Sequence, residues 1–282
     1  MKSSVKKILA IVLTGIIVFA LASCSVTEKV QEYFVEETTV TEPYTNKSEK
    51  PDNVSEIVAY FNSISADLKK SEPYNITMSR DFSAGDFESE NKHLKAAFPT
   101  VANFIINNSD FLDKGLNGKE ELENGTISNI VHVYPMEGSM DSSNVLLKHV
   151  KLATCSQTSD NYVITIDFKD DASPLEAGGL GEVFNVNDKD AILEELKGAS
   201  DLLTIKDYDV EYNGGKIVCT VDRGTDRIVS ATYSRAIKIT ADVTGQGEFA
   251  SIKNEKVTFN LYENENYTID WVNPESTTVA EK

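Results

Sequence analysis

Three cysteines and three histidines carry the sharpest chemistry in this 282-residue chain, and their spacing decides what they can do. No C-x-x-C or H-x₃-H pair exists, so a zinc site is not expected. Gly138-Ser139-Met140 lacks the second glycine of a nucleophile elbow. Gly178-Gly179-Leu180-Gly181 lacks the lysine and the strand-then-helix setting of a phosphate loop, and reads as a flexible loop. Asn185-x-Asn187-x-Lys189 begins like a calcium loop but has no glycine at the sixth place and no glutamate at the twelfth, so Asp188 and Asp190 read as helix-capping residues. His132 falls in a strand pattern and reads as a half-buried sheet residue. Asp170-Asp171 and Glu194-Glu195 read as solvated faces. No convergent catalytic set emerges, so the expectation is a protein that is not an enzyme and needs no cofactor or metal.

Cys24 is different. Lys2, Lys6 and Lys7 precede an apolar run from Ile8 to Ala22, which is shorter than the roughly 20 residues of a spanning helix and has the layout of an export signal. The run ends in Leu21-Ala22-Ser23-Cys24, which resembles the lipobox of bacterial lipoproteins. That resemblance implies that the signal is cut before Cys24, that its thiol carries a diacylglycerol, and that the protein sits lipid-anchored on the outer face of the cytoplasmic membrane. Acyl chains contribute about 0.8 kcal/mol per buried methylene, so two long chains hold a domain without a spanning helix.

Loss of residues 1–23 removes three lysines and no acid, so 24 cations then face 45 acids and the net charge becomes −21. Such a balance argues against nucleic acid, whose phosphates bind by cations displacing counterions. It argues equally against a peripheral grip on anionic lipid, so the acidic body is expected to stand away from the surface. Membrane attachment is therefore assigned to Cys24.

Residues 24–52 are rich in Thr and Glu with no sustained apolar period, and read as a disordered tether. Residues 274–282 read as a flexible tail. Between them, residues 53–273 are expected to form a single α+β domain. Asn53 with Glu56 forms a capping pair ahead of Ile57, Val58, Phe61, Ile64 and Leu68 at helical spacing. Ile76, Met78, Arg80 and Phe82 alternate with polar neighbours as in a strand. Leu94 to Ile105 gives a second helical stripe interrupted by Pro99, and a third helix runs from Asp188 to Gly198. Strands are expected at Ile127 to Tyr134, Val150 to Gln157, Tyr162 to Phe168, Ile205 to Tyr212, Ile217 to Val221, Ile228 to Ala241 and Val257 to Tyr262. Asn213-Gly214-Gly215 and Asp222-Arg223-Gly224-Thr225-Asp226 have hairpin-turn chemistry. The fold expected is a curved, mainly antiparallel meander, half-barrel-like, with helices packed on one face.

The segment Ile217 to Ser234 resembles the strand, D-K-x-T-G-x, strand hairpin of lipid-anchored proteins of the LolA and LppX type, and Tyr134 to Trp271 is similar to lipoproteins of Firmicutes. Asp226 departs from the pattern, standing where glycine is usual. The resemblance implies an unclosed antiparallel barrel whose hollow side holds acyl chains. Tyr208, Val210, Tyr212, Val229, Tyr233, Ile237 and Ile239 are then the candidate ligand lining; alternatively, they simply pack the helices. Cys155 and Cys219 each lie in an apolar strand, where they could form a disulfide or remain lone buried thiols.

Two functions follow. One is a membrane-tethered binding module, for lipid or another apolar ligand. The other is a structural or protein-interaction lipoprotein with a filled core and an acidic exterior. A cell-wall hydrolase lacks its catalytic set, and a two-lobed solute receptor would need repeated βαβ units that the sequence does not contain.

Overall fold

The computed structural model describes residues 49–71, 75–92, 129–184, 203–246 and 252–272, short pieces at 95–96 and 115–117, and single residues 73, 99 and 250. Its first element is helix α1, Val54–Lys70. The Asn53 side chain accepts from the Glu56 amide at 3.0 Å, and Glu56 reaches back to the Asp52 amide at 3.0 Å, satisfying donors that the first turn leaves open. Ile57, Val58, Phe61, Ile64 and Leu68 form its buried stripe, which packs on the sheet over the strands defined below.

The strands are β1 (Asn75–Ser89), β2 (Gly115–Asn117), β3 (Val150–Gln157), β4 (Asn161–Phe168), β5 (Leu203–Asp222), β6 (Arg227–Gly245) and β7 (Glu255–Asp270). They form one antiparallel sheet in the order β2-β1-β7-β6-β5-β4-β3. Helix α1 contacts β3, β4 and β6, and a one-turn helix α2 (Asn129–Val133) contacts β1. This is the α+β architecture expected, an open sheet with helices against it. Register shifts at Ala84/Phe87, Val150/Leu152, Ile205/Asp207, Tyr212/Gly215 and Thr220/Val221 are bulges, which bend and twist a sheet.

Four expectations need correction. Asn213-Gly214-Gly215 is not a hairpin: β5 runs unbroken through it, and Asn213 and Gly214 form a bulge in which Gly214 adopts φ +75°. A bulge and a tight turn ask for the same left-handed glycine, so the local letters cannot separate them. Asn129–Val133 is helical rather than extended, with the Tyr134 amide donating to the Ile130 carbonyl at 3.0 Å. Ile130, Val131, Val133 and Tyr134 are all buried, and over so few residues apolar positions fit either period. The backbone at His132 is accordingly in a helical turn, not a strand. Strand β7 continues eight residues beyond Tyr262, to Asp270. Finally, residues 171–182 are an ordered turn: Asp171 accepts from the Ser173 and Leu180 amides at 3.0 and 2.7 Å, and Glu182 accepts from the Gly178 amide. The stripe from Leu94 to Ile105, apart from helical 95–96 and 99, and the helix from Asp188 to Gly198 lie outside the described residues. So does Cys24.

The 222–226 turn explains its own departure from the glycine pattern. Asp226 has φ +54°, the left-handed conformation that glycine usually supplies. Its carboxylate accepts from the Tyr60 hydroxyl at 2.6 Å. The aspartate thus exchanges conformational ease for a bond that ties α1 to the β5–β6 hairpin.

Candidate functional site

The sheet's inner face is built in rows set by the register. Met78, Tyr267, Ala231, Cys219 and Ile164 form one row, continued by half-buried Cys155 on β3. In the next row Arg80 lies opposite Glu265, which pairs with Tyr233. In the third, Phe82 lies opposite Glu263, which pairs with Arg235, and Arg235 with Gly215. Charged side chains thus take positions that strand alternation sends into the core.

These charges meet one another. The Arg80 guanidinium donates from Nε to Glu265 Oε1 at 2.9 Å and from Nη2 to Glu137 Oε1 at 2.5 Å. Its Nε also lies 3.3 Å from Glu263 Oε1. Arg235 donates from Nε to Glu263 Oε2 at 2.5 Å and from Nη1 to the Tyr212 hydroxyl at 3.0 Å. The Tyr267 hydroxyl donates to Glu265 Oε2 at 2.7 Å. Every charged side chain in the cluster is between 3 and 5 % exposed. Glu137 reaches it from the turn after α2, and Lys69 secures that turn. The Lys69 ammonium, itself buried, donates to the carbonyls of Met136, Ser139 and Asp141 at 2.8, 2.9 and 2.6 Å, using all three of its protons.

Protonation follows from this crowding. Burial pushes the Glu263 carboxyl up to about 7; Arg235 and Arg80 oppose the rise, and the neighbouring Glu265 charge adds to it. Burial also acts on Glu265, but Arg80, Arg235 and the Tyr267 hydroxyl outweigh it and hold that carboxyl below its ordinary value. The two adjacent carboxyls are thus shifted in opposite directions, Glu263 up and Glu265 down, and they titrate as a pair. Burial lowers the Lys69 ammonium to about 8, against the pull of Asp141 and Glu137.

Aromatic rings close the face around the charges. Tyr134, Tyr233 and Tyr267 stand edge-to-face with centroids 5.1 to 5.9 Å apart, and the Tyr233 hydroxyl donates to that of Tyr134 at 2.9 Å. Phe184 packs against Phe168, Tyr212 and Tyr233 at 5.8, 5.8 and 6.1 Å. Gly215 makes room for it: a Cβ there would sit 2.9 Å from Phe184 Cζ. The Arg235 guanidinium lies 5.7 Å from the centroids of both Phe184 and Tyr212.

The candidate lining can now be placed. Tyr208, Val210, Tyr212, Tyr233, Ile237 and Ile239 share the inner face, through the pairs Tyr208–Ala241, Val210–Ile239, Tyr212–Ile237 and Ile217–Tyr233. Val210 is half-buried and the other five are buried. Val229 does not join them; it is the unpaired residue of the bulge between Ser230 and Ile228. Cys155 and Cys219 are free thiols, not a disulfide. Both pair with Ile164 from opposite sides, which separates them by two strand spacings, about 9.6 Å, whereas a bridge needs Cα atoms within about 7 Å. His149 Nε2 lies 2.7 Å from the Gly178 carbonyl oxygen.

Glu137, Glu263, Glu265 and Arg235 were not singled out by sequence reasoning. The signal was present: Arg80 and Arg235 occupy apolar-register positions, which demands carboxylate partners on the same face. Among the described residues, no group of three or more His, Cys, Asp or Glu side chains is arranged to hold a metal ion. No family model matches the chain, and no curated protein or solved structure is significantly similar to it.

Proposed function

We propose that the chain is a lipid-anchored lipoprotein of the outer face of the bacterial cytoplasmic membrane, acting without catalysis by presenting its surface to a protein partner. Anchoring is supported by the lipobox at Leu21-Ala22-Ser23-Cys24. The choice of a surface role over carriage of an apolar ligand rests on one observation. Two of the candidate lining residues are already engaged: Tyr212 packs against Phe184 and accepts from Arg235, and Tyr233 packs against Phe184, Tyr134 and Tyr267 and donates to the Tyr134 hydroxyl. On this reading, the space over these two rings is taken by the protein's own side chains rather than by an acyl chain.

Two measurements test this reading. With an alkyne fatty acid fed to expressing cells, the wild type incorporates the label and is recovered in membranes, whereas Cys24→Ala takes up none. Label on the alanine variant contradicts the anchor. Native mass spectrometry of the mature protein from mild detergent should show the acylated polypeptide alone. A stoichiometric apolar adduct would restore the carrier reading.

A further inference from the structure

The two edges of the sheet differ in charge. Along β1 and just past it, Asp81, Asp86, Glu88 and Glu90 are exposed, followed by exposed Lys92 and Lys95. Five strand spacings away, roughly 24 Å, the turn leading into β3, β3 itself and the residue after β4 expose Lys148, Lys151 and Lys169, with exposed Glu176 in the loop beside Lys148. None of these three lysines forms an ion pair among the described residues. Lys169 Nζ donates to the Lys148 carbonyl at 3.0 Å, which holds two of them side by side. Asp167 on neighbouring β4 is engaged by Lys216 at 3.2 Å, while Asp170, next to Lys169, is exposed. Two leucines interleave with the lysines: Leu147 is 41 % exposed and Leu152 51 % exposed. Large apolar side chains among cations are the composition that partitions to the headgroup boundary of a bilayer.

We propose that this edge, Leu147, Lys148, Lys151, Leu152 and Lys169, is the face that the protein lays on an anionic phospholipid surface. The inference rests on the anchored reading for its orientation. Lys50 donates to the Cys155 carbonyl at 3.4 Å, so the described chain begins beside β3, with 24 residues between Cys24 and Glu49. An acidic body moored to an anionic surface turns its most acidic edge away and its basic edge inward. Each lysine near such a surface gives about a fivefold gain in partitioning. A second copy adding a strand at this edge is disfavoured, because the Val150/Leu152 bulge interrupts the ladder at Lys151 and Lys50 occupies the Cys155 carbonyl.

The test uses the acylated protein on vesicles of phosphatidylcholine alone or mixed with phosphatidylglycerol, with amine labelling read residue by residue. Lys148, Lys151 and Lys169 should label about fivefold or more slowly on the anionic vesicles, with protection lost in about 0.5 M salt, while Lys253 and Lys256 stay unchanged. In the double variant Lys151→Glu, Lys169→Glu, Lys148 should lose its protection. Equal labelling on both vesicle types overturns the proposal, as does protection of Lys148 that survives in the double variant. Protection without vesicles that grows with protein concentration assigns the edge to a second copy, and also overturns it. Sedimentation with phosphatidylcholine vesicles reads the anchor separately. If the anchor fails, labelling on anionic vesicles still decides the edge, because unprotected lysines there refute it.

Discussion

Two neighbouring parts of one sheet face stabilise the molecule in opposite ways. The row of Met78, Tyr267, Ala231, Cys219 and Ile164 is almost wholly apolar, and its contribution scales with buried area and filled volume. One strand-step along, Arg80, Glu137, Glu263, Glu265 and Arg235 are buried to the same degree but contribute only as a set. Each group has lost its water and depends on a particular partner. The first region tolerates exchange of like for like; the second fails one partner at a time.

Substitutions can separate the two regimes. The largest effect is expected for Arg80→Ala, which leaves the carboxyls of Glu137, Glu263 and Glu265 buried without their shared cation. A loss of about 3–5 kcal/mol in denaturant unfolding is expected, and a loss below about 1 kcal/mol would show that the cluster is not closed as described. Tyr60→Phe breaks the bond to Asp226 while keeping the ring, which stands edge-to-face with Tyr162 at 6.2 Å. It should cost about 1–2 kcal/mol, and in the Asp226→Gly background the cost should shrink, as a double-mutant cycle would reveal. The smallest effect is expected in the apolar row, where Ile164→Val, at a fully buried site, should lose about 0.5–1.5 kcal/mol by the same unfolding measurement.

The same contrast explains what could be read in advance. Strand β4 was legible to within a residue because its alternation puts apolar letters inside, β3 kept its expected bounds although Leu152 is exposed, and α1 announced itself by its cap and its stripe. The second half of β7, Glu263 to Asp270, escaped because Glu263 and Glu265 point inward, so the alternation persists while its hydrophobic sign is lost. Sheet register alone brings these glutamates opposite Arg235 and Arg80, and register is a long-range fact. Of the lining candidates, six share one face of the sheet. Val229 was misplaced because a bulge shifts the alternation between Ile228 and Ala231. What lies against Tyr212 and Tyr233 could not be read, since Phe184 arrives from a loop whose path is fixed by Asp171 and Gly215.

The central claim is that the buried charged cluster raises the Glu263 carboxyl while holding neighbouring Glu265 below its ordinary value. A carboxyl raised from its ordinary value of 4.5 to about 7 on folding binds its proton more tightly in the native state. Its contribution is therefore complete below pH 4.5 and is lost as pH rises to about 7. Glu265, shifted the opposite way, acts below that window, and Lys69, lowered to about 8, acts above it. The decisive measurement is urea unfolding of the wild type and Glu263→Gln from pH 4.5 to 8. Glutamine imitates the protonated acid, so the stability of the wild type relative to the variant should fall across pH 4.5 to 7 and then level off. Parallel profiles across that window would contradict a Glu263 carboxyl raised on folding.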